Sequence, residues 1–369
     1  MTEPSAAAPM PIRATPPTYR PFTIARAGEL AAYKDLPAAS QARITPVFIV
    51  AARDWDYDNE VFAKTPTAHL ADLPKKLHAA RGDRLAYLDL SLLDDEGLVH
   101  GQHPLHWLVT EAQKLGLLLM PLATPQSSAA FLSAAKSLHA ANGRGIGIRL
   151  TTNDWPGINA GAATILMSAV GVGHSDVDLF LDFEAKVDAL VVAAVQNEMH
   201  AASSTGWRHI TTGGHSWPKD PPTGQGTFIL PRAELDQYTA SYVGLKGTST
   251  LLPDFFDHLV ANPEVTLDID PKLLTISATL RYAAESQWVF VRGGLYKASG
   301  GKGKGGASVA PALQALIGHT LYGTPVRTKA ETWIEAAAAG GPSGNPMTWR
   351  RWATYRHIEV TLHSLANSL

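Results

Sequence analysis

The sequence contains no cysteine among its 369 residues. Disulfide bonds, thiolate metal sites and cysteine nucleophiles are therefore excluded. Long hydrophobic runs are also missing: residues 117–122 form about the longest, well short of the roughly 18 residues that a membrane-spanning helix needs. Residues 1–17 lack the charged start and apolar core of a signal peptide. We therefore expect a cytoplasmic protein with no membrane partner.

Charge of one sign is not in excess. The chain has 31 basic and 33 acidic residues, so no overall field draws it to nucleic acid or to a membrane surface, although a local basic patch stays open. Hydrophobic residues make up 45% of the chain, which excludes wholesale disorder. We expect residues 1–17, rich in alanine and proline, to be a disordered tail. Residues 18–369 are expected to form a single barrel-like α/β domain, with a helical C-terminal extension from about residue 308.

Short apolar runs alternate with amphipathic patterns along the chain. Continuous apolar runs rich in β-branched residues are typical of strands that are buried on both faces. Such runs occur at 44–51, 85–90, 117–123, 146–150, 177–183 and, more weakly, 208–212. Helical patterns with cap and stop residues lie between them, at 104–115, 128–143, 160–170 and 186–200. This alternation predicts a parallel sheet with right-handed crossovers.

The alternation fits either a (β/α)8, TIM-barrel-like fold or an open doubly wound sheet. No G-x-G-x-x-G motif follows the first predicted strand, as it would in a dinucleotide-binding sheet. Further strands at 264–270 and 275–282 would complete a barrel of eight. We therefore favour the barrel, somewhat irregular in its second half, where a strand at 286–294 and a flexible basic loop at 297–307 follow. Additional C-terminal helices are predicted at 309–319, at 328–339 and from Pro346, with Asn345 as the cap.

Polar and aromatic side chains lie at the predicted carboxyl ends of the strands, where the chemistry of such barrels is found. These residues are Asp54, Asp56, Asp89, Arg149, Asp182, Glu184, His215, Trp217, Asp268, Asp270, Arg281 and Arg292. Carboxylates and arginines clustered at one rim are able to bind a phosphate ester or a metal ion. The alternative is that these side chains cap loops and pair with one another.

Two short patterns resemble metal sites and fail a specific test. The acidic run 54–58 begins like a calcium loop, but Asn59 replaces the glycine of the sharp turn and Thr65 replaces the final glutamate. The histidines spaced by three within 100–106 are interrupted by Pro104, and no H-E-x-x-H pattern occurs. We therefore assign neither pattern as a metal site and name no metal-site residue, and the sequence leaves the cofactor and any metal requirement undetermined.

The glycine-rich segment 300–306 carries Lys302 and Lys304. Neither lysine is followed by serine or threonine, so the segment is not a Walker A loop. It is either a mobile surface loop or a contact for a nucleotide or a nucleic-acid backbone. A G-x-S-x-G motif is absent from the chain, which argues against an α/β-hydrolase.

The order of several short motifs resembles the beta protein family, a group found in bacteria and phages. The motifs are Tyr-Arg-Pro at 19–21, Arg-Ala-Gly-Glu-Leu at 26–30, Leu-Arg-Tyr at 280–282, a tryptophan strand ending in Arg-Gly at 288–293, and the tryptophan-containing helix at 349–357. The resemblance spans roughly residues 19–367.

The sequence departs from the family pattern at two places. Residues 267–270 read Leu-Asp-Ile-Asp where a Gly-Asp-Tyr-like segment is expected, and Arg356-His357 replaces the usual paired histidines. A function carried by those positions would be altered in this chain. The resemblance implies a barrel-like fold and a setting among mobile elements or antiviral systems, and it implies no particular reaction. The positions it marks for function are Glu29, Arg281, Tyr282, Trp288, Arg292 and His357.

Two hypotheses of function follow. The first is an enzyme that acts on a phosphate ester, such as a nucleotide or nucleic acid. In it, Arg281 and Arg292 clamp the phosphate, Glu29 or Asp182 is the base or metal ligand, and His357 is the general acid. Further ligand-binding residues are Arg149, Tyr282, Trp288, Lys302 and Lys304. These side chains are expected to converge in one pocket.

The second hypothesis is a non-catalytic protein that senses a ligand or forms a scaffold for a protein partner in a phage or defence module. It is based on the absence of any complete catalytic motif and on the departures from the family pattern. Barrels retain their shape when they lose their chemistry, so the fold does not decide between the two hypotheses.

Overall fold

A computed structural model describes residues 17–93, 97–155, 161–263, 270, 272–298, 303–367 and 369. Its strands are β1 (Phe22–Ile24), β2 (Val47–Ile49), β3 (Trp55–Asp56), β4 (Val61–Phe62), β5 (Leu85–Asp89), β6 (Leu118–Ala123), β7 (Ile146–Thr151), β8 (Val177–Asp182), β9 (His209–Gly214), β10 (Gly226–Pro231), β11 (Asp254–Asp257), β12 (Ile276–Ala283) and β13 (Gln287–Lys297). Its α-helices are α1 (Ala27–Asp35), α2 (Ala38–Ala42), α3 (Pro66–Leu70), α4 (Leu73–Arg81), α5 (Pro104–Lys114), α6 (Ala129–Asn142), α7 (Ala162–Val170), α8 (Ala189–Ala202), α9 (Ala233–Leu245), α10 (Ala310–Ile317), α11 (Lys329–Ala338) and α12 (Pro346–Asn367).

Eight parallel strands form the main sheet, in the order β1-β2-β5-β6-β7-β8-β9-β11. Tyr19 closes this sheet into a barrel because it bridges Ile44 on one side and Phe255 on the other. The backbone N–H of Arg20 donates to Phe255 O at 2.8 Å, and the N–H of Phe255 donates to Thr18 O at 3.1 Å. The predicted barrel is therefore confirmed, and the open sheet is excluded.

The six predicted apolar strands are all present, as β2 and β5–β9. The prediction of a further barrel strand at 275–282 was wrong. The barrel is completed by β1 and β11, whereas β12 (Ile276–Ala283) covers most of the predicted strand 275–282 and pairs antiparallel with β13 in a separate sheet. Most of the predicted strand 264–270 lies outside the described residues. The two missed strands have only three and four residues, too few to show an apolar period.

The barrel interior is filled by aromatic rings at mid-height. The ring centroids of Phe22 and Phe180 are 5.6 Å apart in an edge-on arrangement, and Phe256 lies 4.9 Å from Phe22. Tyr87 packs edge-on against Phe180 at 5.0 Å. Because these rings fill the centre, the barrel is a packed core rather than an open pore.

Paired polar side chains close the amino end of the barrel. Arg20 donates hydrogen bonds to Tyr87 Oη, to Thr211 Oγ1 and to the carboxylate of Asp254. Tyr87 Oη in turn donates to Asp178 Oδ2 at 2.7 Å. Because these buried groups satisfy one another, this end of the barrel contributes to stability.

A second, antiparallel sheet with the order β10-β13-β12 stands at the carboxyl end of the barrel. Its location follows from connectivity, since β10 lies in the connection after β9 and β12 follows β11. One face carries Leu280, Tyr282 and Val291, which pack with α10 and α11. The opposite face carries Trp288 and Phe290, which pack against residues that follow β9 and β11.

The last helix, α12, covers the seam between β1 and β11. Tyr355 and Ile358 belong to the same buried core as Tyr19, so α12 takes the place of the eighth barrel helix. Its predicted cap is confirmed, because Asn345 Oδ1 accepts the N–H of Thr348 at 3.0 Å. The additional C-terminal helices are thus present, with α10 and α11 on the second sheet and α12 on the barrel.

Two predicted segments extend outside the described residues. The N-terminal tail does so apart from Pro17, and the basic loop does so at 299–302, which includes Lys302. The rest of the predicted basic loop is ordered differently from expectation, since Lys297 ends β13 and Gly305–Ser308 forms a 3₁₀ turn. Within the ranges that the structure describes, no helix is both long enough and apolar enough to span a membrane.

Candidate active site

An arginine–aspartate pair lies inside the barrel at its carboxyl end. Arg149 on β7 donates from Nε to Asp182 Oδ2 on β8 at 2.8 Å, and its Nη2 is 2.5 Å from the same oxygen. Asp182 Oδ1 accepts the backbone N–H of Glu184 at 2.7 Å. Burial opposes ionisation of Asp182, but the positive charge of Arg149, together with His258 and this N–H, holds its pKa well below the ordinary value. Asp182 is therefore a carboxylate at neutral pH and positions its neighbours.

Two histidines accompany this pair. His258 directly follows β11, and its Nε2 lies 3.8 Å from Asp182 Oδ2, slightly longer than a direct hydrogen bond. His215 directly follows β9, and its ring stands nearly perpendicular to that of His258, with centroids 5.6 Å apart. Both residues are 4% exposed. Two neighbouring imidazoles are the usual means of moving protons near neutral pH.

Asp89 lies on the opposite side of the mouth, where its carboxylate acts on Arg149. Asp89 ends β5, is 1% exposed and accepts the N–H of Ser91 at its Oδ1. Its Oδ2 is buried and has no hydrogen-bond partner among the described residues. Burial tends to lower the pKa of Arg149, but the carboxylates of Asp182 and Asp89 raise it, so the guanidinium stays charged. The Arg149 side chain is 20% exposed, which leaves it accessible from the mouth.

A third group at the rim contains Glu184, Thr152 and Lys186. Glu184 Oε2 accepts from Thr152 Oγ1 at 2.8 Å and from Lys186 Nζ at 3.1 Å. The backbone of Glu184 has φ +58°, a left-handed conformation that a glutamate rarely adopts and that concentrates at functional sites. Lys186 is half exposed and places a positive charge at the entrance.

The mouth therefore combines a fixed guanidinium, two histidines, a positioning carboxylate and an accessible lysine. These groups suit the binding of an anionic substrate and the transfer of protons to and from it. In the part of the chain that the structure describes, no three histidine, aspartate or glutamate side chains meet in a way that would hold a metal ion.

A second charged cluster lies where the second sheet meets the barrel. Arg281 on β12 and Arg350 on α12 both donate to the carbonyl oxygen of Val260, the latter at 3.0 Å. Arg350 Nε is 3.6 Å from Glu29 Oε1 in the first turn of α1. Burial and the charge of Arg350 lower the pKa of Arg281, whereas burial raises the pKa of Glu29 against the effect of Arg350. The guanidinium of Arg281 lies over the ring of Trp217, 4.4 Å from its centre.

Arg292 projects from the same face of the second sheet as Arg281, since Arg281 pairs with Phe290 and Thr279 pairs with Arg292 on adjacent strands. Its Nη1 donates to the carbonyl oxygen of Pro222 at 3.1 Å. The two arginines predicted to clamp a phosphate therefore share one sheet face, but each already donates to a different backbone carbonyl.

His357 lies in a closed network beneath α12. Its Nε2 is 2.6 Å from Asp257 Oδ2, and its ring stacks on Trp288 with centroids 4.7 Å apart. Tyr19 Oη donates to the other oxygen of Asp257 at 2.5 Å. His357 has no exposed surface, and burial lowers its pKa, so it is neutral at pH 7. The structure therefore separates His357 and Trp288 from solvent. A general acid has to be accessible to the substrate, and His357 is not.

Tyr282 and the basic loop lie elsewhere. Tyr282 is on the opposite sheet face and donates from Oη to Glu331 Oε1 at 2.6 Å, beneath the guanidinium of Arg356. Lys304 is exposed beside the turn Gly305–Ser308, and Lys302 lies outside the described residues. The predicted residues thus do not converge in one pocket. Arg149 meets Asp182 at the mouth, and Glu29 is near Arg281 in the second cluster.

The prediction did not include two residues that the geometry brings forward, His258 and Arg350. His258 was missed because the short strand β11 before it was missed, although Asp-Phe-Phe-Asp-His at 254–258 has the acid and histidine of a strand end. His215 was placed at the rim without a role. Arg350 looked like one of several arginines in a helix. No local pattern shows that it meets Arg281, which lies 69 residues earlier in the chain.

Comparisons with known proteins give one family match and several distant structural likenesses. The family model described as Beta protein matches residues 19–363. None of the curated proteins matches the sequence. Among solved structures, a type I 3-dehydroquinate dehydratase from Clostridium difficile is 11% identical, with a TM-score of 0.39, and the match covers 69% of this chain and 89% of that one. The corresponding enzyme from Enterococcus faecalis is 15% identical, with a TM-score of 0.36 and coverage of 66% and 90%. At these identities the likeness concerns the fold alone.

Proposed function

This chain belongs to the beta protein family, and from its barrel fold we propose that it is an enzyme whose active centre is the carboxyl-end mouth and whose substrate is a phosphate ester. The observation that carries the proposal is the meeting of Arg149, Asp182 and His258 on three barrel strands or the residues directly after them. In barrels of this class, this end is where catalytic groups are found.

Each residue has a role that its surroundings support. Arg149 binds the phosphoryl oxygens, because its Nε and Nη2 are held by Asp182 while Nη1 makes no hydrogen bond within the described ranges. Asp182 is a positioning residue for Arg149 and His258. Lys186 adds a second cation at the entrance.

The two histidines would divide the proton transfers. A water molecule attacks phosphorus and gives its proton to one imidazole as the new phosphorus–oxygen bond forms. The bond to the leaving-group oxygen breaks, and the other, protonated imidazole donates a proton to that oxygen. By position, His258, whose Nε2 lies 3.8 Å from Asp182 Oδ2, is assigned the donation to the leaving group, and His215 the acceptance of the proton from water. A bell-shaped dependence of kcat on pH is expected from this division of roles.

The test is turnover of a panel of nucleotides, sugar phosphates, a nitrophenyl phosphate and short oligonucleotides by the purified protein. We expect His258→Gln to reduce kcat by about a hundredfold to ten-thousandfold, the usual range for a general acid or base. Arg149→Lys should mainly raise KM, because a single ammonium replaces the guanidinium that pairs with Asp182 through Nε and Nη2 and offers Nη1 to the substrate. The matched control is His209→Gln, a half-exposed histidine at the opposite end of the same barrel, which should leave kcat unchanged.

Equal turnover by wild type and both mouth variants would overturn the proposal. If no substrate is turned over while a phosphate compound binds in an Arg149-dependent manner, the enzyme proposal fails and the non-catalytic sensor is supported instead. A setting in phages or antiviral systems, with a protein partner from such a module, belongs to the same proposal and follows only from what the resemblance to the family implies.

A further inference from the structure

The cluster at the junction of the second sheet and the barrel has more donors than its protein acceptors use. Each guanidinium carries five N–H groups. Arg281 and Arg350 both donate to the carbonyl oxygen of Val260, and two donors are enough to occupy that oxygen. In the described part of the chain, the remaining polar contact of the pair is Glu29 Oε1, 3.6 Å from Arg350 Nε. Most of the N–H groups of the two arginines are therefore available to another acceptor.

The charges of the cluster are also unbalanced. Two guanidiniums face one carboxylate, and the exposed Arg26 at the start of α1 adds a further positive charge near Glu29. Two like charges that share a carbonyl oxygen repel each other in a partly buried setting, and an added anion relieves that repulsion. Burial, and after it the charge of Arg350, lowers the pKa of Arg281; burial lowers the pKa of Arg350, with Glu29 opposing and Arg26 adding to the effect.

The donors are held in fixed positions. The guanidinium of Arg281 lies on the ring of Trp217, which is 3% exposed and stands edge-on to Trp288 at 5.3 Å. On the other side, the first turn of α1 packs directly on α12: a side chain at Gly28 would come within 2.8 Å of Met347 O. Fixed donors lose little freedom on binding, which favours affinity.

Solvent reaches the cluster. The side chain of Arg350 is 29% exposed and that of Glu29 is 13% exposed, while Arg281 is half-buried. Four parts of the chain contribute to it: the connection after β9, the connection after β11, strand β12, and the paired starts of α1 and α12. The first turn of α1, which contains Glu29, has no side-chain cap, and its backbone N–H groups point to the N-terminal end of that helix.

We propose that Arg281 and Arg350 form a second anion-binding site, which takes a phosphate group or a similar tetrahedral oxyanion and is separate from the Arg149 site. Two planar guanidiniums that meet at one point offer donors to several oxygens of a tetrahedral anion. Val260 is two residues beyond His258, so their Cα atoms are at most about 7.6 Å apart and both sites open at the same end of the barrel. The proposal does not depend on any reaction at the mouth.

The experiment is calorimetric titration of the full-length protein with inorganic phosphate and, in parallel, with a nucleoside 5′-monophosphate at low ionic strength. Arg350→Met and Arg281→Met should each weaken binding at least about tenfold, the scale expected for losing a charged hydrogen-bond donor. Glu29→Gln should strengthen binding severalfold, because it removes the carboxylate that competes for Arg350. Binding of phosphate alone indicates a free anion as ligand, and much tighter binding of the monophosphate indicates an anion carried by a larger molecule.

Two controls separate this site from its surroundings. Arg351→Met changes the next residue of α12, whose guanidinium pairs with Asp35 at 2.5 Å, and should leave the affinity unchanged. Arg149→Lys should leave the Arg350-dependent binding in place. The proposal is overturned if phosphate binds equally well to wild type and Arg350→Met, if Arg149→Lys alone abolishes all binding, or if Glu29→Gln weakens it. The Glu29 variant protects the test against misfolding, because a gain of affinity cannot come from an unfolded protein.

Discussion

Replacing Asp182 by asparagine keeps the shape of the side chain and removes its negative charge from the pair with Arg149. Asp182 is completely buried, and the Arg149 side chain is 20% exposed, so the variant leaves a largely buried guanidinium without its counter-charge. Removing one partner of a buried ion pair costs about 3–5 kcal/mol. Because Arg149 keeps some contact with water, we expect the lower end, about 3 kcal/mol.

A double-mutant cycle with Arg149→Met isolates the interaction. The double variant should lose about 2 kcal/mol less than the sum of the two single variants, because the two groups are in direct contact. The measurement is urea unfolding followed by circular dichroism and tryptophan fluorescence. In a parallel thermal scan, a 3 kcal/mol loss should lower the Tm of this 369-residue chain by roughly 4 °C. The matched control is Asp58→Asn, whose pair with Lys272 is more than 60% exposed on both sides and is expected to contribute less than about 1 kcal/mol.

The reasoning fails if Asp182→Asn costs less than about 1 kcal/mol, the value expected for an exposed pair. A coupling energy near zero would have the same meaning, since residues that do not interact give additive effects. Either result would show that Arg149 and Asp182 are not paired inside the mouth, and the assignment of Arg149 as the phosphate-binding residue would lose its support.

Two further predictions concern the fold around the site. Burial raises the pKa of Glu234 from 4.5 to about 7. The stability that its protonated form contributes is therefore fully present below about pH 4.5, and about 3 kcal/mol is lost as the pH rises through 7. Urea unfolding at about pH 5 and pH 8 should show this loss in wild type and not in Glu234→Gln, and the same change of unfolding free energy in both proteins would contradict it. A side chain at Gly213 would lie 1.9 Å from Phe256 O on the neighbouring strand, so Gly213→Ala should prevent soluble expression or lower the Tm strongly, whereas Gly224→Ala, with nothing within 4 Å, should match wild type.

The outcome for the candidate site shows where sequence reasoning reached its limit. Arg149 and Asp182 were identified because each ends a clearly apolar strand, and parallel strands of a barrel bring their ends together. His357 was assigned a catalytic role from its position in a family motif, but its contacts with Asp257 and Trp288 are hidden beneath α12. A motif records which residue type occurs at a position and does not record whether solvent reaches it.

Elements whose cause is local could be predicted from the amino-acid sequence. Strands β5–β8 are visible as continuous apolar runs because both of their faces are buried, and the start of α12 is visible because Asn345 and Pro346 act within one turn. The absence of cysteine likewise needs no structure to exclude disulfides.

The closure of the barrel and the pairing of distant charges became visible with the three-dimensional fold. Tyr19 bridges Phe255 across 236 positions, and an isolated bridge outside any strand carries no period that would predict this partner. The same holds for the junction of Arg281 and Arg350 on the carbonyl of Val260, which three separate segments create. Such contacts depend on the relative placement of packed elements, and that placement is set by the burial of the whole core rather than by any local pattern of residues.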